Sequence, residues 1–270
     1  MAGTYAGILP QFNKNFIGLR HVTNVFTSNP LPSLFESELP ARTEHLNRTE
    51  IWMRYFINSR WMLVSGLPVQ YTIKREGNSR EMYGGIADAT IQANRIWINT
   101  GDSAKRNWKN TLMTGAGLKI PLGRYNESFS PSMQTGSGTW DFILNVNHTI
   151  RYKNIGLNAD INMRINTPGA TYTFGDRIVS GLRMFYWQKL GKSVLLPHAG
   201  ITGEFAEKDT KRGITQKFTG GNGYYFTAGA EYYFNRFTMG ITTTIPLQEK
   251  INGGYTETNY RIATQLIYMF

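Results

Sequence analysis

The chain of 270 residues contains no cysteine. A disulfide framework and any thiolate metal site are therefore excluded. Histidine is scarce, with 4 copies. His21 and His45 stand on different segments and give no metal-ligand spacing, so no metal and no other cofactor is expected. Long apolar runs are also missing. No stretch approaches the ~18–20 residues that a membrane-spanning helix needs, and mean hydropathy is −0.34. That excludes a helical membrane protein. It leaves a β-barrel open, because a barrel alternates lipid-facing with lumen-facing residues and hides its hydrophobicity from averaging. Acidic residues are few: 18 against 29 lysines and arginines, for a net charge of +11. In a soluble chain this excess would suggest nucleic acid. Here the basic residues are scattered, without a dense patch interleaved with stacking aromatics, so nucleic acid is not an expected partner. In a barrel the same charge suits loops that meet anionic lipid head groups, or a pore that prefers anions. A secretory apolar core is not seen after Met1-Ala2-Gly3, and the numbering is expected to begin within the mature chain.

What the chain does have is alternation. Side chains alternate across a strand. In 155–166, Leu157, Ala159, Ile161, Met163 and Ile165 face one way, and Asn158, Asp160, Asn162 and Arg164 face the other. In 139–151, Trp140, Phe142, Leu144, Val146 and Ile150 oppose Asp141, Asn145, Asn147, Thr149 and Arg151. The terminal strand puts Tyr260, Ile262, Leu266, Tyr268 and Phe270 on one face, with Arg261, Ala263 and Gln265 on the other. Similar segments lie at about 14–26, 48–58, 60–72, 83–97, 108–120, 175–187, 193–205, 223–234, 236–247 and 258–270.

Short connections near Asn58-Ser59-Arg60, 152–154, 188–192 and Asn235-Arg236 alternate with long ones at 27–47, 73–82, 121–138, 167–174, 206–222 and 248–257. Such alternation is produced by a barrel with short periplasmic turns and long outer loops. The sequence therefore predicts an all-β fold: a transmembrane antiparallel β-barrel of about 12 strands over 14–270, with both termini periplasmic. Residues 1–13 are expected to cross the periplasmic mouth or line the lumen. The proline-bearing stretch 31–47 is read as loop.

Tryptophan falls at expected strand ends. Trp52, Trp61, Trp97, Trp108, Trp140 and Trp187, with Tyr268 and Phe270, are expected to form two interfacial girdles against outer-membrane lipid. Strand parity places Arg54, Asp88, Asp141, Asp160, Arg164, Arg183, His198, Glu204, Glu231 and Arg261 in the lumen. Mixed charge there fits either a network that fills a narrow interior or a conduit selecting anions and polar solutes. Gly115, Gly117, Gly181, Gly200, Gly229 and Gly240 mostly share the inward parity, and the preferred reading is open space.

Several stretches carry a family resemblance. They are Ile8-Leu9-Pro10-Gln11-Phe12, Asn15-Phe16-Ile17-Gly18-Leu19-Arg20, Gly115 to Gly123, Gln134-Thr135-Gly136-Ser137-Gly138-Thr139-Trp140-Asp141 and Phe174-Gly175-Asp176-Arg177. Together they resemble Bacteroidota outer-membrane barrels loosely described as transporters, similar to the barrels associated with the meta-pathway of phenol degradation. The resemblance implies passage of small aromatic or hydrophobic compounds. The terminal Phe270 also resembles the closing signal of outer-membrane barrels.

No catalytic set is expected. A nucleophile needs a base in reach and a third group to orient it. His148-Thr149-Ile150 with Asn158 does not provide one, and His148 shares the lipid-facing parity. His198 with Glu204 or Glu231 is an acid/base alternative, less favoured than a polar lumen network. Glu207-Lys208-Asp209-Thr210-Lys211-Arg212 and Lys74-Arg75-Glu76 read as solvated loop, or as a grip on lipopolysaccharide phosphates or a partner protein. The leading expectation is passive solute passage. A plugged accessory barrel in a larger outer-membrane complex is second, and an outer-membrane lipid hydrolase a distant third.

Overall fold

The structure is a computed structural model that describes residues 14–29, 42–100, 107–126 and 134–270. The 1–13 segment and most of 31–47 lie outside the described residues. The strands are β1 (Phe16–Ser28), β2 (Arg42–Phe56), β3 (Trp61–Glu76), β4 (Ser79–Ile86), β5 (Ala89–Asn99) and β6 (Trp108–Ile120). They continue as β7 (Asp141–Tyr152), β8 (Ile155–Asn166), β9 (Tyr172–Thr173), β10 (Arg177–Tyr186), β11 (Gln188–Leu190) and β12 (Ser193–Ala206). Last come β13 (Thr210–Lys211), β14 (Ile214–Thr215), β15 (Gly221–Phe234), β16 (Phe237–Ile251) and β17 (Thr256–Met269).

Hydrogen bonding runs from β10 through β8, β7, β6, β5, β3, β2, β1, β17, β16 and β15 to β12, and β10 pairs again with β12. The sheet therefore closes. β4 and β5 are two parts of one stave, which makes a twelve-stranded antiparallel barrel with no free edge at its waist. The seam joins the first and last strands, with Phe16 opposite Met269 and Val22 opposite Ala263. The N–H of Phe270 donates to the carbonyl of Asn15 at 2.9 Å. Both ends of the described chain thus sit at the end of the barrel that carries the short turns. In two of those turns Lys153 (φ 51°) and Asn235 (φ 52°) take the left-handed backbone a tight reversal demands.

The outer face is apolar. Ile17, Leu19, Ile51, Leu144, Leu157 and Leu266 are all exposed, too much contiguous apolar surface for water but the surface a lipid-facing barrel needs.

Two long connections are shorter than the sequence suggests, and a third carries strands of its own. β3 and β4 meet in a hairpin through Gly77 and Asn78, where a loop at 73–82 was expected. β16 runs to Ile251 and β17 starts at Thr256, in place of a loop at 248–257. Within 206–222, β13 and β14 join β9 in a separate three-stranded sheet. Beyond the lipid both faces of a strand are wet, so the apolar–polar alternation ends while the pairing continues. The expected strand at 83–97 is interrupted at Ala87 and Asp88, where β3 changes its partner from β4 to β5.

Candidate functional site: the lumen

The inward faces sort into two zones. At the short-turn end they are apolar. Phe16, Trp52, Ile267 and Met269 form one buried cluster, Phe185, Trp187 and Leu196 a second, and Met62, Val64, Ile96 and Met113 a third. Tyr233 packs against the first two. Arg54 threads this collar. Its guanidinium lies 4.7 Å from the Phe16 ring centroid and 5.3 Å from that of Phe56, and it donates to the Lys14 carbonyl at 3.2 Å. Cation–π contact offsets part of the cost of burying that charge.

Two expected girdle residues belong to the collar. Trp52 is 2% exposed and Trp187 3%. Trp52 shares the inward parity of Glu50 and Arg54, and Trp187 that of Arg183 and Phe185, so both point away from lipid. Arg151 stacks over Trp187 at 4.2 Å. Trp61, Trp97, Trp108, Trp140, Tyr268 and Phe270 are exposed on the outside. Trp108 packs on Tyr152, centroids 4.8 Å apart, and Tyr268 on Phe237 at 5.3 Å.

Above the collar the lumen is ionic. Arg20 pairs closely with Glu50, which Arg48 also contacts at 3.1 Å. Arg183 pairs closely with Asp160. Arg261 forks onto Glu204, with Nη2 2.9 Å from Oε2, and its guanidinium lies 4.5 Å from the Tyr225 ring centroid. Glu231 accepts from the Tyr233 hydroxyl and from Gln265 Nε2 at 3.3 Å. Arg164 and Arg177 are cross-strand neighbours. Buried charges are tolerable only when paired and hydrogen-bonded, and strands β1, β2, β8, β10, β12 and β17 supply both signs to one interior.

A second ionic cluster ties down the 121–140 connection. Lys119 contacts Asp141 closely and Asp88 at 3.1 Å. Asp88 sits at the break between β4 and β5 and accepts from the Gly123 and Ser137 amides, each at 3.0 Å. The Thr139 hydroxyl donates to Asp141 at 3.0 Å. Asp141 is completely buried.

The inward glycines do not leave open space. A Cβ on Gly181 would lie 2.7 Å from both Asp160 Oδ1 and Arg183 Nη1; one on Gly115 would lie 2.1 Å from Asn94 Oδ1. A Cβ on Gly240 would lie 2.9 Å from Gln265. Gly181, Gly115 and Gly240 are notches occupied by neighbours' polar side chains, whereas at Gly117, Gly200 and Gly229 a Cβ would first meet a backbone carbonyl of the adjoining strand. Among the described residues the lumen holds a cavity of about 110 Å³ whose lining includes Arg20, Arg183, His198, Glu204, Arg261 and Thr227, and a smaller one of about 30 Å³ among Asn94, Asn145, Asn147 and Asn162.

His198 forms no acid/base pair with Glu204 or Glu231: neither of its ring nitrogens has a hydrogen-bond partner. His148 Nε2 bonds instead to Asn110 Oδ1 at 2.9 Å. Among the described residues no three His, Asp or Glu side chains gather into a metal-binding group. In the outer loops, Asp209 is not solvated. It is 7% exposed, and it accepts from the Tyr172 hydroxyl and from the Gly175 amide at 2.8 Å. Burial, and then that hydrogen bond, hold the Tyr172 phenol above its ordinary pKa.

Sequence parity missed Lys119, Arg20, Glu50 and the collar. The signal for Arg20 was present, because it follows Phe16 and Gly18 at even spacing on the inward face of β1.

No protein-family model and no curated protein matches the sequence. The fold has clear counterparts among solved structures. An outer membrane channel from Pseudomonas putida F1 superposes with a TM-score of 0.70 at 13% identity, covering 100% of both chains. The β domain of the Bordetella autotransporter BrkA gives 0.54 at 12% identity, covering 96% of this chain and 100% of that one. The translocator domain of the autotransporter NalP from Neisseria meningitidis gives 0.50 at 10% identity, covering 98% and 91%. With its apolar belt and closed twelve-stranded sheet, the chain has the fold of the bacterial outer-membrane β-barrels.

Proposed function

We propose that the chain is an outer-membrane channel for the passive passage of small solutes, with its short turns and both termini on the periplasmic side. The observation that carries this reading is the lumen itself: paired arginines and carboxylates from strands all around the barrel face one interior that still holds a cavity of about 110 Å³. Arg20, Arg183 and Arg261 would set selectivity toward small anionic or polar solutes. The family resemblance adds an aromatic or hydrophobic body to the solute. The collar around Trp52 and Trp187 would narrow the lumen at the short-turn end.

The test is single-channel recording in a planar bilayer. Discrete conductance steps with a reversal potential displaced toward chloride are expected, and a silent barrel would overturn the reading. One observation favours the alternative of a plugged accessory barrel in a larger complex: the collar residues Trp52, Met62, Phe185, Trp187 and Leu196 are almost fully buried. Stable stoichiometric co-purification with other membrane proteins, together with silence in the bilayer, would establish that second reading.

A further inference from the structure

The short-turn end of the barrel carries charge of one sign. The stretches 57–60, 107–109, 152–155, 187–192 and 234–237 hold Arg60, Lys109, Lys153, Lys189, Lys192 and Arg236, and no aspartate or glutamate. Two of these cations lean on the outer aromatic belt. Lys153 Nζ lies 5.4 Å from the Tyr152 ring centroid, and Arg236 Nη1 donates to the Tyr268 hydroxyl at 3.4 Å.

One place on this rim is built as a site. Gln92, Asn94 and Ile96 of β5 are buried toward the lumen, and Arg95 takes the opposite parity with the exposed Ile91 and Trp97. Its charge therefore stands on the lipid-facing side. Among the described residues it has no carboxylate partner, whereas Arg20, Arg183 and Arg261 in the lumen are each paired. A charge on the lipid face is tolerable only near the head groups.

Trp61 on β3 and Thr114 on β6 stand opposite Arg95. The register of β5 on β6 shifts between Ile96 and Ile98, so Trp97 is left without a cross-strand partner. Such a bulge re-aims a side chain. Here it lays the Trp97 ring against Arg95, with 4.0 Å from guanidinium carbon to ring centroid, and the Trp61 centroid lies at 5.8 Å. The Trp97 indole N–H donates to Thr114 Oγ1 at 2.9 Å, which fixes the ring. Cation–π contact holds the guanidinium and uses none of its N–H donors. A planar fork of free donors at the level of the belt matches the oxygens of a phosphate. Arg60, exposed, is anchored alongside, because its carbonyl accepts the Ile96 amide at 2.8 Å. Toward the waist, the exposed Ile91 and Leu67 offer an apolar wall to an acyl chain.

We infer that Arg95, cradled by Trp61 and Trp97, binds the phosphate of an anionic phospholipid, and that the rim cations supply the field favouring a net negative head group. The inference rests on the barrel lying in lipid and not on its conducting.

The experiment is native mass spectrometry of the intact, detergent-solubilised barrel mixed with equimolar dioleoylphosphatidylglycerol and dioleoylphosphatidylcholine. Retention of one phosphatidylglycerol is expected, favoured about fivefold over phosphatidylcholine. Arg95→Gln should bring that ratio close to unity. Trp97→Ala keeps the charge, removes the cradle and should lower the ratio as well, so the site stays testable if one variant fails to fold. Lys208→Gln takes an equal charge from an exposed outer loop and should leave the ratio unchanged. Glycerol phosphate in large excess should displace no lipid. Equal retention of the two lipids by the native barrel overturns the inference, as does a native ratio in folded Arg95→Gln. Lys208→Gln lowering the ratio as far as Arg95→Gln would reduce the effect to net charge, and displacement by glycerol phosphate would make the place a site for soluble anions; either result also overturns it. A barrel silent in the bilayer removes the channel and keeps this site, whereas loss of the lipid preference leaves the channel standing.

Discussion

Asp88 and Ser137 are joined twice across 49 positions of sequence: one carboxylate oxygen of Asp88 accepts both the Ser137 amide, at 3.0 Å, and the Ser137 hydroxyl, at 3.2 Å. With Lys119 at 3.1 Å and the Gly123 amide at 3.0 Å, Asp88 holds both described ends of the 121–140 connection against the break in its own stave. Asp88→Ala leaves those amides without their acceptor, at about 1–3 kcal/mol for each buried group. The described ends of the connection should loosen, with noisier single-channel currents and faster proteolysis after Arg124 in intact proteoliposomes.

Glu204→Gln tests the charge balance of the Arg261–Glu204 pair. It leaves Arg261 without its carboxylate and removes one negative charge from the lumen. Breaking such a pair costs about 3–5 kcal/mol, so the urea midpoint should fall. The reversal potential in a salt gradient should move further toward the anion, and Arg261→Gln should move it the other way.

Trp52→Ala truncates the largest fully buried side chain of the collar. A loss of about 3–5 kcal/mol is expected, read as a lower urea midpoint of the folded, heat-modifiable band. If the collar narrows the short-turn end of the lumen, conductance should rise in the same variant, whereas Trp108→Ala on the outer face should leave it unchanged.

Glycine notches can be told from glycine spacers by alanine. Gly181→Ala drives a Cβ into the Arg183–Asp160 pair and should cost about 1–3 kcal/mol. Gly85→Ala meets nothing closer than 3.9 Å and should be near neutral. Thermal unfolding in detergent, followed by loss of β-sheet circular dichroism, compares the two.

The Tyr172–Asp209 bond gives the outer loops an alkaline limit. Its phenol is held above the ordinary value by burial and by that hydrogen bond. Below about pH 10 the phenol is protonated in both open and closed loops, and its contribution is complete. Above that pH the opened loop releases its proton first, so the closed form loses stability as pH rises toward the folded value. Subtilisin should cut near Lys211 and Arg212 faster at pH 10.5 than at pH 8, and Tyr172→Phe should be cut quickly at both.

The barrel was legible where strands cross lipid, because one face must be apolar there. The parity of Asp141 to Arg151 and of Asn158 to Arg164 predicts their inward placement residue by residue. Legibility failed in two places for the same reason: the environment on one side of the strand changed. Past the lipid, Lys74-Arg75-Glu76 and Glu249-Lys250-Ile251 pair as strands without alternating, because water lies on both sides. At the short-turn end the inward face is as apolar as the outward one, so Trp52 and Trp187 resemble girdle residues until parity is followed through Arg54 and Arg183. The pairing of Arg261 with Glu204 could not be read at all, because it joins β17 to β12, which are not neighbours in the sheet, and local sequence carries no record of it. Lys119 and Asp88 lie on neighbouring staves, but the break at Ala87 and Asp88 interrupts the parity that would have matched them.

The seam between β1 and β17 has a consequence for connectivity. Asn15 and Phe270 share a backbone hydrogen bond of 2.9 Å, so a short linker could join these two residues without crossing the mouth. New ends could then be opened at Gly77 and Asn78, in the hairpin that stands clear of the waist. Such a circular permutant would retain every ladder of the closed sheet. Its assembly would have to begin and end elsewhere on the circle, and the cell's insertion machinery would meet Phe270 in the middle of a chain.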